Sequence, residues 1–152
     1  METWGPGNER DEIAVWRQLS RLMEQVNATA GRRLARGHGV SVNELLLLLS
    51  LTEQRDGTLR MSDLIKALGA SQPAVSRMVA RLEDAEWVIR RSLQDDRRGV
   101  DVQVTEAGRR LADAAERSLR KALTEALDAA ALNDSTASLV ARLRYEPAMP
   151  LD

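Results

Sequence analysis

Between Gly69 and Gly108 the chain collects side chains suited to hydrogen bonding with a nucleic acid. Ser71 and Ser76 are short donors for phosphates or base edges, Gln72 can pair bidentately with adenine, and Pro73 can touch a thymine methyl. Arg77 and Arg81 can each take guanine or a phosphate, or close a surface salt bridge, Arg81 for instance with a neighbouring carboxylate. Farther on, Arg98 stands in a polar, charged run over residues 94–99. At a hairpin tip, such an arginine can enter a narrow, electronegative minor groove and read its width. Asp96 can hold that guanidinium in a bidentate pair, and Arg97, Arg90 and Arg91 suit contacts to the sugar-phosphate backbone. The bland account of the same run is a charged tip kept for solubility.

These side chains need elements to carry them. Val75, Met78, Val79 and Leu82 recur at three- and four-residue spacing, which predicts a helix with one apolar face. Gln72, Ser76, Arg77, Ala80 and Arg81 fall on its other faces. Upstream, residues 61–68 form a short helical pattern with Leu64, Ile65 and Leu68 inward, stopped by Gly69, which tolerates the left-handed conformation. Ser71 can cap the second helix, and Pro73 is tolerated in its first turn. A short helix, a turn and a longer helix make a helix-turn-helix, whose second helix enters a major groove. Trp87, Val88 and Ile89 then start a strand, and Val100, Val102 and Val104 alternate with Asp101 and Gln103 as a half-buried strand does. The run at 94–99, closed by Gly99, is the turn between them, so the motif carries a wing.

With these residues the chain resembles the MarR family of bacterial transcription regulators. The likeness lies in Leu82 and Glu83, then in Asp96-x-Arg98-x-x-x-Val102-x-Val104-Thr105-x-x-Gly108, with Val104 where the family usually has Leu. It extends over roughly residues 10–145, and its motif is specific between 62 and 108. The resemblance implies base reading from the start of the second helix, which here means Ser71, Gln72, Pro73, Ser76 and Arg77. It also implies a wing that uses Asp96 and Arg98 as described, and a homodimer whose terminal helices interlock. Relatives often release DNA when a small aromatic acid fills the cleft between dimer helices and DNA-binding lobe. One departure is Glu86, where the family usually has Gly between the second helix and the wing. If the backbone there is left-handed, Glu costs about 1 kcal/mol relative to Gly; otherwise the helix ends differently and the wing enters at a changed angle.

The rest of the chain supplies scaffold. A helix is expected from Glu9 to about Arg36, with Ile13, Trp16, Leu19, Met23, Val26, Ala30 and Leu34 on one side. Trp16 suits core or interface, with the wall of a ligand pocket as the functional alternative. Ser41 and Glu44 form an S-x-x-E capping box ahead of a leucine-rich helix from Glu44 to about Gln54, buried on nearly every side. Thr58, Leu59 and Arg60 could add a strand beside the wing. Thr105 begins a long helix to about Ala131 with a seam of Leu111, Ala115, Leu119, Leu123, Leu127 and interleaved alanines. Asn133 or Asp134 can cap a last helix carrying Thr136, Leu139, Val140 and Leu143. Terminal helices this apolar need a partner, and a second copy is the economical one.

Composition narrows the function classes. The chain has 152 residues, 22 basic against 23 acidic, a net charge of −1 and no cysteine. Near-neutral charge is a mild argument against nucleic acid, whose usual footprint is basic. It favours the rival reading, a winged-helix module for protein contacts that has lost specific DNA binding. The lack of cysteine removes disulfides, thiolate metal sites and cysteine redox sensing. His38 alone builds no zinc site and suits a solvated loop. With no nucleophile–base pair and no Gly-rich phosphate loop, no catalytic site, metal or cofactor is expected.

The expectation is a mainly α fold with a small β-hairpin wing: a winged helix-turn-helix lobe over 41–105, with dimerisation helices at 1–36 and 106–146. The expected function is that of a cytoplasmic homodimeric regulator that binds a pseudo-palindromic double-stranded DNA operator, represses from it and is released by a small-molecule effector.

Overall fold

The computed structural model describes residues 8–92 and 99–144. The order is α1 (Asn8–His38), α2 (Val42–Thr52), β1 (Thr58–Arg60), α3 (Met61–Leu68), α4 (Gln72–Asp84), β2 (Val88–Ser92), β3 (Val100–Val104), α5 (Glu106–Ala131) and α6 (Ala137–Arg144). Two compact units arise: residues 33–119, and the described parts of 1–32 with 120–152.

In the first unit the strands form a three-stranded antiparallel sheet, ordered β1-β3-β2. β3 is central because its neighbours on both sides present matching registers, Leu59 opposite Val102 and Val88 opposite Val104. Val102 and Val104 point to one face and are buried, while Asp101 and Gln103 are half-buried, as period two requires. That face packs with the apolar sides of α2, α3 and α4, where Leu45, Leu48, Leu64, Val75, Val79 and Leu82 are fully buried. α2 is buried on most sides, but Leu46 stays 42% exposed.

Element ends follow from local chemistry, with shifts of about two residues from the sequence expectation. α1 runs through Gly37 to His38, because Gly39 (φ +69°) rather than Gly37 takes the left-handed conformation. α2 starts at Val42, since the capping residue is Ser41: its hydroxyl accepts from the Glu44 N–H, and the Glu44 carboxylate accepts from the Ser41 N–H. His38 is not a solvated loop residue; it is half-buried, with Nε2 2.7 Å from Ser118 Oγ.

The second unit has a small core of Leu22, Ala130 and Val140, flanked by Val26, Leu127, Ala131 and Leu139. The fully buried members of the α5 seam are alanines, Ala112, Ala115, Ala122 and Ala130. Leu111, Leu119, Leu123 and Leu127 are half-buried beside them. Asn133 organises the turn before α6 by accepting from the Ser135 N–H and hydroxyl. The buried Thr136 hydroxyl donates to the Ala130 carbonyl at 2.7 Å, so no polar atom is orphaned there. No described helix is long and apolar enough to cross a membrane.

Candidate nucleic-acid interface

The turn between α3 and α4 is set by two residues. Gly69 takes φ +59°, ending α3 in the left-handed region, and nothing lies within 4 Å of where its Cβ would be. Ser71 then accepts from the Ala74 N–H and opens α4, with Pro73 in the first turn, where its missing donor costs nothing. Val75, Val79 and Leu82 anchor the inner face. Consequently Ser71, Gln72, Pro73 and Arg77 are exposed, and Ser76 and Ala80 are half-buried. Four of the five residues expected to read bases therefore stand fully outward on one rigid element. Among the described residues Arg77 has no ion partner.

Arg81 sits differently. Its Nε and Nη2 donate to the two carboxylate oxygens of Glu44, the second at 2.5 Å, and Nη2 also donates to the Gly39 carbonyl at 2.8 Å. The Arg81 side chain is 52% exposed and that of Glu44 only 7%. Burial by itself would raise the Glu44 pKa, but the hydrogen bonds from Arg81 and the Ser41 N–H, with the Arg81 charge, outweigh it and hold the carboxyl below its ordinary range. The salt-bridge alternative for Arg81 is thus the geometry found, with a partner 37 residues away in sequence. No sequence spacing signals that pairing; Glu44 reads locally as a capping residue only.

At the other end α4 closes with a Schellman motif. The Trp87 N–H reaches the Leu82 carbonyl and the Glu86 N–H the Glu83 carbonyl, each at 2.9 Å. The residue that must be left-handed is Glu86, at φ +62°. The helix therefore ends as a glycine-capped one would, and Glu86 bears the strain. Its carbonyl accepts from Thr105 Oγ1 at 2.8 Å, and the same Thr105 oxygen caps α5 by accepting from the Gly108 N–H at 3.0 Å. A Cβ on Gly108 would lie 2.1 Å from the Trp87 carbonyl oxygen. The Thr-x-x-Gly part of the motif is thereby explained: Thr ties the second wing strand and α5 to the end of α4, and Gly allows the close approach.

The wing strands pair from Val88–Val104 to Ser92–Val100. Glu83 accepts from the Arg90 backbone N–H at 3.1 Å and from its side-chain Nε at 2.7 Å, so Arg90 serves to hold β2 to α4. Those bonds keep the Glu83 carboxyl below its usual range. Arg91 is exposed, opposite Asp101, whose Oδ1 is buried without a hydrogen-bond partner among the described residues. Asp96, Arg97 and Arg98 lie outside the described residues.

Trp16 is 64% exposed on α1. It does not line the nearby surface concavity formed by Ile13, Ala14, Arg17, Gln18, Arg21 and Ser135.

Comparison with known proteins gives the same picture. Residues 40–100 match the MarR family model. The transcriptional repressor MprA of Escherichia coli (strain K12) is 30% identical over 89 residues, 59% of this chain and 48% of that protein. The chain thus spans about half the length of the curated relatives it matches. A MarR family transcriptional regulator from Streptomyces coelicolor, solved in complex with DNA, is 26% identical with a TM-score of 0.73, covering 95% of this chain and 88% of that one. AbsC, another from the same organism, shares the fold at 22% identity and a TM-score of 0.71, covering 94% of each chain. The capped α4, the wing register, the Thr105–Gly108 tie and these likenesses agree: residues 40–100 are similar to the MarR family, and the chain has the fold of MarR family regulators.

Proposed function

We propose that this chain is a sequence-specific double-stranded DNA-binding transcription regulator, acting in the cytoplasm as a homodimeric repressor on a pseudo-palindromic operator. The observation that carries this reading is the outer face of α4, where Ser71, Gln72, Pro73 and Arg77 are exposed on a helix locked by buried Val75, Val79 and Leu82. Gln72 would take adenine, Arg77 guanine or a phosphate, Ser71 and Ser76 phosphates or base edges, and Arg98 the minor groove, with Asp96 and Arg97 beside it. The DNA complex of the S. coelicolor regulator and the repressor MprA support the reading.

Dimerisation is supported by α1. Ile13, Trp16, Leu19 and Met23 recur at helical spacing and are 42–64% exposed, an apolar stripe that a single chain leaves uncovered. Under this reading α1, α5 and α6 form the dimer interface, and two α4 helices meet half-sites about 10 base pairs apart. A small organic effector would act by binding one spacing of those helices better than another.

The test is fluorescence anisotropy on duplexes that the purified chain enriches from a randomised library, across a salt series. Tight binding whose log affinity falls by about 0.9 per log unit of salt for each phosphate neutralised is expected. Affinity no greater than for random duplex would reject the reading in favour of a protein-contact module, which the net charge of −1 would suit.

A further inference from the structure

We infer that Arg81 is a positioning residue for the reading helix: through its clamp on Glu44 and Gly39 it sets the rotation of α4 and so aims Arg77 and Gln72, rather than contacting DNA itself. The inference deepens the DNA-binding reading and rests on it.

One guanidinium joins three elements. The Gly39 carbonyl lies just past the end of α1, Glu44 lies in the first turn of α2, and Arg81 lies in the last turn of α4. Glu44 is fixed before Arg81 reaches it, because the capping box already holds its carboxylate at 2.8 Å from the Ser41 N–H. The carboxylate is buried, so its position is set by the lobe and not by solvent. A two-pronged guanidinium–carboxylate contact constrains direction as well as distance, which a lysine's single ammonium does not. Arg81, Arg77 and Pro73 are spaced by four residues and lie along one stripe of α4. Rotating the helix to break the clamp would therefore carry Arg77 and Pro73 sideways by the same angle. At the same end, Glu83 holds Arg90 of the wing strand, so α4 is tied on one side to the scaffold and on the other to the wing. Three of the five guanidinium N–H groups of Arg81, those on Nε and Nη2, are donated inward, which leaves the Nη1 pair for any outside partner.

The experiment compares wild type with Arg81→Met, Arg81→Lys, Glu44→Gln and the double variant Glu44→Gln/Arg81→Met. Glu44→Gln keeps a side-chain acceptor for the capping box while removing the charge that Arg81 grips. The probes are the duplex enriched by the wild-type chain and a random duplex of equal length, across a salt series, at a temperature where circular dichroism shows every variant folded. The expected result is a roughly tenfold loss of operator-over-random preference in each single variant, Arg81→Lys included, on the scale of one misread base pair. The salt slope should be unchanged, and the double variant should be no worse than either single one, since both remove the same clamp. A salt slope reduced by about 0.9 in Arg81→Met, with Glu44→Gln binding as tightly as wild type, would overturn the inference and make Arg81 a phosphate contact. Unchanged preference in variants with lowered melting temperature would overturn it in favour of a stability role alone. If the wild-type chain itself prefers no duplex, the DNA-binding reading fails and this inference with it, an outcome distinct from the other two.

Discussion

Three residues carry local physics that can be checked one at a time. Glu86 holds φ +62°, a conformation that costs an L-residue with a Cβ what glycine avoids. Replacing it by Gly should raise stability by about 1 kcal/mol, or about 3 °C in melting temperature for a chain this size, read by thermal denaturation. Gly108 has the opposite sensitivity. A methyl there would sit 2.1 Å from a backbone carbonyl that cannot swing aside as a side chain can, so Gly108→Ala should cost roughly 3 kcal/mol in urea denaturation. Glu44 adds a pH dependence. Its pKa is depressed in the folded chain, so the stability it contributes is complete above the carboxyl's unfolded pKa and is lost as pH falls through the lower folded one. Wild type should exceed Glu44→Gln by about 1–2 kcal/mol at pH 7, a figure discounted for the half-exposed Arg81, and the two should converge only once the pH has fallen below the carboxyl's lowered folded value. A gap that persists in acid would mean that shape, not charge, distinguishes the two side chains.

At the scale of elements, the reading helix and the wing are one mechanical piece. α4 is capped by Ser71, closed by the Schellman turn at Glu86, and tied to β2 through Glu83 and Arg90. Under the proposed DNA-binding reading, the contributions of Arg77 and Arg98 should nevertheless separate by experiment. Arg77→Ala, on the major-groove face, should relax discrimination among operator variants by about 1–3 kcal/mol at one position. Arg98→Ala should weaken operator binding through loss of minor-groove contact, with the largest effect where the flanking sequence is A·T-rich. Anisotropy against a panel of single-base operator variants distinguishes these outcomes; an Arg77→Ala protein with unchanged discrimination would remove it from base reading. Sequence patterning made these elements legible because each relies on neighbours a few residues away: the apolar repeat of α4, the Gly69 stop, the Ser71 cap and the alternation in β3. The Arg81–Glu44 pairing was not legible, since contact between residues 37 apart depends on how α2 and α4 pack.

For the whole molecule, the apolar stripe on α1 is the feature that one chain cannot satisfy. The stripe expected from periodicity divides in two. Ala30 and Leu34 are buried within the chain, whereas Ile13, Trp16, Leu19 and Met23 are not, and Leu22, outside that stripe, supplies the buried contact of the second unit instead. Under the proposed homodimer, a Trp16→Glu/Met23→Lys variant should shift sedimentation from dimer to monomer while leaving helix content by circular dichroism nearly unchanged; an unshifted dimer would place the interface elsewhere. The amino-acid order by itself pointed to the helix-turn-helix, the hairpin wing and the capping chemistry, because these are written in periodicities and turn residues that act over short spans, and its motif carried the resemblance to the MarR family. Only the tertiary structure decided that Glu86 takes the left-handed conformation a glycine would, that alanines rather than leucines are the most deeply buried side chains of α5, and that Arg81 faces inward to Glu44. Each of those depends on which surfaces meet across the fold, and burial, close approach and long-range ion pairing are properties of the packed chain that no local pattern contains.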